Sequence, residues 1–339
     1  MSAIGVSPSR GTTRTAAGTA SRGGVRGQIR VLLRQHRRAL WACGALLLLG
    51  IGTVVALRIW VTVAGRDELC ADGDTTPCDD DVYQSTYART SAETFLADGG
   101  TTMMVLAVLV GAFVAGPLIA RELESGTFRM AWTQSSSPAQ WLAARLAAPA
   151  ALTACVAVAL IPVYHWGRSQ LVNSPYAYGL DWYVRGVYPV MGPVFIGYAL
   201  LAVAVGALIA LLVRRTVVSI SVSVLVLGLV MKIQERVRED FWPTARVLGG
   251  RQLEGDVWWV DSGMLTAAGK EVHWRDCPDA YDTADPGACM RELGGVTQFA
   301  DYHPASHLWP LQLVETGILL ALAALAVLLA FRVLRRRHG

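Results

Sequence analysis

The sequence predicts an all-α polytopic membrane protein. It has six transmembrane helices, an N-terminal amphipathic helix at the membrane interface, and an elaborated extracellular region between helices five and six. The chain is 53% hydrophobic and only 17% charged, whereas a soluble domain of this length carries about a quarter charged residues. The few charges are also unevenly placed, because several stretches long enough to cross a bilayer carry almost none.

Six apolar stretches approach or exceed the roughly 20 residues that a helix needs to cross the hydrocarbon core. They cover residues 39–63, 101–120, 142–163, 187–213, 216–233 and 311–333. Because unpaired backbone groups are costly in hydrocarbon, each stretch is predicted to be helical. Only Arg214 and Arg215 separate the fourth and fifth stretches, which predicts a tight helical hairpin.

The distribution of basic residues predicts that both termini are cytoplasmic. The first 38 residues contain eight arginines and no acid, and the last eight residues add four more arginines. In contrast, residues 64–100 contain nine acids and two arginines, and residues 234–310 contain thirteen acids and seven bases. The long basic start and the five later spans argue against a cleaved secretory signal. We therefore expect a multi-pass membrane protein with both termini in the cytoplasm.

Tryptophans at the ends of the spans are expected to be interfacial anchors. Trp41 and Trp141 are assigned to the inner interface, and Trp60, Trp166 and Trp309 to the outer one. This assignment agrees with the orientation derived from the basic residues.

Composition divides the chain into four predicted regions. Residues 1–24 offer little to bury and are expected to be a disordered cytoplasmic tail. Residues 25–233 hold the amphipathic helix, with apolar residues at helical spacing and arginines on its other face, followed by five transmembrane helices. An arginine-rich anchor without a mechanical role is the alternative for that first helix. Residues 234–310 form the extracellular region, and residues 311–339 hold the sixth helix and a basic tail.

Four of the six cysteines fall in the predicted extracellular loops as two close pairs. Cys70 lies near Cys78, and Cys277 lies near Cys289. Because this compartment is oxidising, each pair is predicted to form a local disulfide. The alternative is that all four remain free thiols.

The loop between spans two and three begins with a charged helix end. Arg121, Glu122 and Glu124 continue the second span into the cytoplasm, and Gly126 is expected to end the helix. A solvated helix end with a weak internal salt bridge is the alternative interpretation of these charges.

The rest of this loop predicts two further helical pieces. Phe128, Ala131 and Trp132 have the spacing of a short surface helix with one apolar face. Ser137, followed by a proline and then by Gln140, has the pattern of a capping box that starts the third span. The loop is therefore expected to be a compact element that projects inward.

The extracellular region has turn signals and one strand-like segment. Gly-Gly pairs occur at 249–250 and 294–295, and residues 257–260 form an apolar run typical of a β-strand. This pattern is compatible with a small α+β cap, whose core would be marginal without the disulfide and the neighbouring spans.

No motif in the sequence predicts catalysis, a cofactor or a metal site. A phosphate-binding loop, HExxH, paired CxxC and GxSxG are all missing. His303 and His307 are expected to be ordinary exposed histidines. Glu315 is the single acidic candidate within the spans and is expected to face an outer vestibule. The net charge of +4 gives no indication of a nucleic-acid partner.

Two segments resemble a known family. RELESGTFRMAWTQSSSPAQWLAARL (121–146) resembles the inner loop of type-2 ABC exporter permeases, and YHPASHLWPLQLVETGILLALAALAV (302–327) is similar to the final segment of actinobacterial permeases of this group. The order of spans is shared as well. The resemblance implies a permease subunit that sits among membrane lipids, forms the substrate pathway and pairs with itself or a second permease. It also implies that a separate ATPase dimer, which binds ATP and Mg, docks on residues 121–141.

On this resemblance, Glu122 and Glu124 match the acidic positions of the family, and the Gly-Thr pair follows them. The aromatics of the loop are added as apolar anchors, because interface energy concentrates in such residues. The predicted docking residues are Arg121, Glu122, Glu124, Gly126, Thr127, Phe128 and Trp132. The chain itself is then not an enzyme. The extracellular region departs from the family pattern, because it is much longer than the short re-entrant helices of its simplest members.

Two other functions remain as alternatives. One is a membrane-anchored sensor or binding protein whose extracellular region holds a ligand, although the cytoplasmic tails are too short for a signalling domain. The other is an intramembrane enzyme, which needs paired acids or histidines at matching depth.

Overall fold

A computed structural model describes residues 37–64, 79–127, 137–172, 180–249, 256–278 and 285–338, together with Arg34. The predictions for the tail 1–24 and for the amphipathic helix that begins at Val25 lie essentially outside the described residues. So does the predicted Cys70–Cys78 disulfide.

The described residues form a helical bundle with one small sheet. The α-helices are α1 (Arg37–Ala64), α2 (Asp79–Val110), α3 (Gly116–Ser125), α4 (Pro138–Arg168), α5 (Val194–Val213), α6 (Thr216–Val237), α7 (Ala288–Glu292) and α8 (Leu308–His338). A π-helical segment, Gly111–Ala115, joins α2 to α3. Within the described ranges, six stretches are long and apolar enough to cross a membrane: α1, α2 with α3, α4, α5, α6 and α8. The protein is therefore a multi-pass membrane protein.

The spans alternate in direction, so the bundle has two distinct ends. The hairpin end carries Arg214 and Arg215, which join α5 to α6, together with the end of α3 and the start of α4. Arg214 adopts a φ of 55°, and its amide donates to the carbonyl of Ala210, which closes α5. The opposite, sheet end carries the strands that follow α6. This arrangement confirms the predicted helical hairpin.

Helix α5 is the centre of the bundle. Fifteen of its twenty residues are buried, which only a helix surrounded by other spans can achieve. Its backbone closely approaches the π-helical segment, since a Cβ on Gly206 would lie 2.4 Å from the carbonyl oxygen of Gly111. A Cβ on Gly111 would in turn lie 2.3 Å from the Cβ of Ala202. The absence of side chains at both glycines is therefore what permits this crossing.

The segment 180–193, which precedes α5, was predicted in part to be transmembrane helix, and this prediction was wrong. The sequence predicted a span from residue 187, but α5 begins at Val194. Tyr188–Met191 forms a 3₁₀ turn instead, and Gly192 and Pro193 follow it. Residues 187–192 are buried against protein at the sheet end of the bundle, which accounts for their apolar character without a longer span.

The region between α6 and α8 contains a four-stranded antiparallel sheet, so it is not all-α. The strands are β1 (Ala245–Leu248), β2 (Val257–Thr266), β3 (Glu271–His273) and β4 (Gly295–Pro304), in the spatial order β1-β4-β2-β3. The apolar run at 257–260 lies in β2, as predicted. Gly249 and Gly294 adopt positive φ values of 80° and 88° at the ends of two strands, which explains why glycine is favoured at these two positions.

The predicted Cys277–Cys289 disulfide is present in this region. Its first cysteine packs with Met264, Val272 and Met290 in a small core of its own. Four buried side chains give a limited core, so the cross-link is expected to contribute to the stability of this fold.

Candidate functional site

Glu122, in the last turns of α3, bonds to two side chains of α4. Its Oε2 accepts a hydrogen bond from the indole N–H of Trp141 at 2.8 Å. Its Oε1 accepts one from Nε of Arg145 at 3.0 Å and pairs with Nη2 of the same guanidinium at 2.5 Å. Glu122, Trp141 and Arg145 form what we name the Glu122 clasp. It ties the root of the inner loop to the third span.

The clasp corrects the expected role of Trp141. This residue was predicted to be an interfacial anchor, but it is only 1% exposed, and its indole donates to Glu122. The other four tryptophans assigned to interfaces are exposed, with Trp41 at 79% and Trp309 at 57%. A tryptophan needs an acceptor for its N–H when it is buried, and Glu122 supplies it.

Glu124 bonds to the start of α6. Its Oε2 accepts hydrogen bonds from the amide of Thr216 at 3.3 Å and from the hydroxyl of Thr216 at 2.7 Å. Arg215, the residue at the cap position of α6, provides no side-chain cap. Glu124 thus satisfies an otherwise free amide of the first turn of α6, and its negative charge lies at the positive end of that helix.

Three of the remaining predicted docking residues, Arg121, Gly126 and Thr127, lie beside these two glutamates. Gly126 has a φ of 74° and ends α3, as predicted. Arg121 and Thr127 are exposed, and the hydroxyl of Thr127 lies 3.0 Å from that of Ser125. Phe128 and Trp132 lie outside the described residues.

The start of α4 confirms the predicted capping box. Ser137 Oγ accepts from the amide of Gln140 at 3.2 Å, and the side chain of Gln140 accepts from the amide of Ser137 at 3.2 Å. Both borders of the loop are thus fixed: a left-handed glycine ends α3, and a capping box starts α4.

Sequence reasoning missed Trp141, Arg145 and Thr216 as partners of the two glutamates. A signal for one of them was available, because Arg145 lies within the predicted span 142–163, where a lone charge needs a partner. Thr216 gave no such signal, since its role depends on how α3 packs against the hairpin.

A second polar site lies buried at the sheet end. Arg238, just after α6, donates from Nε to Glu315 Oε2 at 2.9 Å and from Nη2 to Oε1 at 3.2 Å. The hydroxyl of Tyr198 donates to Glu315 Oε1 at 2.9 Å. The side chain of Glu315 is 0% exposed and that of Arg238 is 6% exposed. The expectation that Glu315 faces an outer vestibule was therefore wrong.

The segment 180–193 is attached to the same site. The guanidinium of Arg238 lies 4.2 Å from the ring centre of Tyr188. Gln312 Oε1 accepts from the amide of Val194 at 3.1 Å, and Gln312 Nε2 donates to the carbonyl of Tyr188 at 2.5 Å. The Arg238–Glu315 ion pair and Gln312 together hold the start of α5 against the end of α6 and against α8.

The two histidines before α8 form a contact of their own. His303 Nδ1 lies 3.0 Å from His307 Nδ1, and His303 Nε2 lies 3.0 Å from the carbonyl oxygen of Glu239. His303 is 0% exposed, so the expectation of ordinary exposed histidines was wrong for this residue. Burial lowers the pKa of His303 below its ordinary value, because desolvation penalises the imidazolium.

The described residues at the two ends do not group metal-ligating side chains. Within those ranges, no three His, Cys, Asp or Glu side chains are grouped as a metal ion would require. Both sites are instead glutamate–arginine contacts between helices, and such contacts can position helices and transmit their movement.

A comparison with known protein families identifies the family of this chain. The sequence model of the family described as "ABC-2 membrane transporter related" matches residues 39–238, which include α1 to α6 and both borders of the inner loop. No curated protein and no solved structure shows a significant match to the chain. Because the family match covers more than half of the sequence, this protein belongs to the ABC-2 membrane transporter-related family and is a permease of the ABC-2 type.

Proposed function

We propose that this chain is the transmembrane subunit of an ATP-driven exporter and docks a separate ABC ATPase through the loop 121–141. On this proposal the hairpin end is cytoplasmic, the sheet end is extracellular, and the protein lies in a bacterial plasma membrane. The functional unit is a dimer of this chain or a heterodimer with a second permease. The substrate crosses the membrane within that dimer.

Family membership supports the first part of the proposal. Permeases of this family are typically non-catalytic transport components of the membrane, and they pair with an ABC ATPase. The match favours transport over the sensor and intramembrane-enzyme alternatives. The purified chain should therefore hydrolyse no ATP alone and should do so only with its cognate ATPase. Robust hydrolysis by the chain alone would contradict the proposal.

The observation that carries the docking proposal is the pair of contacts at the root of the loop. Glu122 bonds to α4 through Trp141 and Arg145, and Glu124 bonds to α6 through Thr216. A movement of the loop would therefore displace the second, third and fifth spans directly. A loop without such contacts would absorb the movement instead.

These contacts divide the proposed docking residues into two roles. Arg121, Gly126 and Thr127 lie at the loop surface, where a partner can reach them. Glu122 and Glu124 already bond within the chain, so their proposed role is to orient the loop as well as to face the ATPase. Phe128 and Trp132 are proposed as the apolar anchors in a groove of the ATPase.

Truncation of the anchor tests the docking surface. Trp132→Ala should cost about 2 kcal/mol of binding energy, which is roughly a 30-fold loss of ATPase affinity. Pull-down of the ATPase by wild type and variant measures this loss. Trp259→Ala is a matched control, since Trp259 is 53% exposed at the sheet end and should leave the affinity unchanged. Full ATPase binding and transport by the Trp132 variant would show that the loop is only a connector.

A second comparison separates the two roles of Glu122. Glu122→Gln and Arg145→Met each break the clasp, but only the first changes the acidic group that an ATPase could contact. If Glu122 acts by orienting the loop, both variants should lose ATPase-coupled transport to a similar degree. Retention of transport by Arg145→Met alone would assign Glu122 to direct contact with the ATPase.

A further inference from the structure

A charged cleft at the sheet end of α6 lies outside the sites described above. It encloses about 240 Å³. One wall is the last turns of α6 with the residues that follow it, and the other is the segment 180–193. Its lining is entirely charged: Arg185, Lys232, Glu235, Arg236 and Glu239.

The cleft has an excess of positive charge. Glu235 is neutralised within the cleft, because it pairs with Arg185 and accepts from Lys232 Nζ at 3.2 Å. Arg185 and Lys232 nevertheless remain 63% and 65% exposed at their side chains. Arg236 forms no salt bridge with any other described residue. Together with Glu239, the lining holds three cations and two acids, which gives a net charge of +1. A negatively charged group would therefore meet an excess of positive charge, in which Arg236 is the cation that does not pair with Glu235.

An apolar face of α6 leads into this cleft. Leu225, Leu229 and Ile233 follow one another at four-residue spacing, which places them on one face of the helix. They are 72%, 62% and 52% exposed. Lys232 and Arg236 flank the sheet-end limit of this face. The surface therefore passes from hydrocarbon-like to cationic at the level where a membrane span meets the headgroups.

We propose that the cleft binds the phosphate headgroup of an anionic phospholipid, whose acyl chains lie along Leu225, Leu229 and Ile233. The charge of the lining favours an anion over a zwitterion, because each added cation near a membrane surface favours an anionic lipid. The adjoining apolar face favours a lipid over a soluble phosphate, since only the lipid covers it. Arg185 makes this a site and not a simple interfacial anchor, because it faces the helix from a separate segment of the chain. The proposal does not depend on ATPase docking.

Native mass spectrometry of the full chain in detergent tests this site. The probes are dioleoyl phosphatidylglycerol and dioleoyl phosphatidylcholine, which share acyl chains and differ in headgroup charge. The wild type should bind phosphatidylglycerol more tightly than phosphatidylcholine. Lys232→Gln with Arg236→Gln should weaken that binding about fivefold for each charge removed and leave phosphatidylcholine unchanged. The matched control is Arg335→Gln with Arg336→Gln, which removes two exposed arginines from the hairpin end of α8.

Three outcomes would overturn the proposal. One is equal binding of the two lipids by the wild type, and another is equal affinity of wild type and cleft variant. The third is displacement of the lipid by millimolar glycerol phosphate, which would assign the cleft to a soluble anion. If the double variant unfolds, Arg236→Gln alone carries the test, because it removes a cation that forms no ion pair with the described residues.

Discussion

The hairpin end and the sheet end each hold a glutamate against an arginine, but water reaches the two pairs differently. Glu122 and Arg145 keep 25% and 14% of their side-chain surface exposed, whereas Glu315 and Arg238 keep 0% and 6%. A buried charge that loses its partner has no solvent to replace it, whereas a partly exposed one does. The sheet-end pair is thus expected to stay formed, and we call it a fixed joint. The charges of the hairpin-end pair can separate and bond to water or to a docked protein.

The largest expected effect is the loss of the buried pair. Glu315→Gln leaves Arg238 charged and uncompensated, which should lower the free energy of unfolding by about 3–5 kcal/mol. Denaturant unfolding of the purified protein in detergent measures the loss. The matched control, Glu315→Leu with Arg238→Met, removes both charges and should recover most of the stability. A wild-type stability for Glu315→Gln would contradict the idea of a fixed joint.

The next effect concerns α5, which connects the two ends. Gly206→Ala would place a Cβ 2.4 Å from the carbonyl oxygen of Gly111, so the helices must separate. We expect a loss of about 1–3 kcal/mol in the same unfolding measurement. Gly228→Ala is the control, since a Cβ there meets nothing within 4 Å. Equal stability of the two variants would show that close packing of α5 against the π-helical segment does not join the two ends of the bundle.

A double-mutant cycle should show a smaller coupling energy at the Glu122 clasp than at the Glu315–Arg238 pair. Glu122→Gln and Arg145→Gln, alone and together, should give a coupling energy of about 1–2 kcal/mol. This is the contribution expected of charged hydrogen bonds that water partly hydrates. A coupling as large as that of the Glu315–Arg238 pair would remove the contrast between the two ends. A coupling of zero would mean that the clasp does not hold the loop.

The smallest effect is a pH dependence confined to the sheet end. Burial holds the pKa of His303 below its ordinary value of 6.5, so the unfolded chain takes up a proton before the folded chain does. The associated stabilisation is therefore present above pH 6.5 and is lost as the pH falls below it. The thermal unfolding midpoint should decrease from pH 7.5 to pH 5, and this decrease should shrink in His303→Gln. An equal decrease in both proteins would place the titrating group elsewhere.

Local patterns predicted much of this molecule correctly. The hairpin at Arg214 and Arg215, the glycine that ends α3, the capping box at Ser137 and the Cys277–Cys289 disulfide all depend on residues close in sequence. The six spans were predicted from hydropathy, which measures burial but does not distinguish lipid from protein as the surroundings. That limit explains the misplaced start of α5, because residues 187–192 are apolar for contact with protein.

The missed contacts join residues that are distant in sequence. Glu315 pairs with Arg238, 77 positions away, and no periodicity of either helix specifies this partner. A charge within a span does predict that some partner exists. Applied to Glu315 and Arg145, this rule would have indicated that both are paired. It would not have identified Glu122 or Arg238, because that choice is made when the helices pack.

The π-helical segment lets α2 and α3 accommodate one extra residue without turning the hairpin-end charges away from their partners. A π turn contains one residue more than the α turn it replaces, whereas each residue of an α-helix rotates the chain by about 100°. Loss of one residue within Gly111–Ala115 would therefore make α2 and α3 continuous and leave the direction of Glu122 and Glu124 nearly unchanged. Loss of one residue from α3 before Glu122 would instead rotate both glutamates by about 100°, away from Arg145 and Thr216. Deletions in the π turn therefore act on packing, while deletions in the neighbouring α-helical turns act as rotations of the loop.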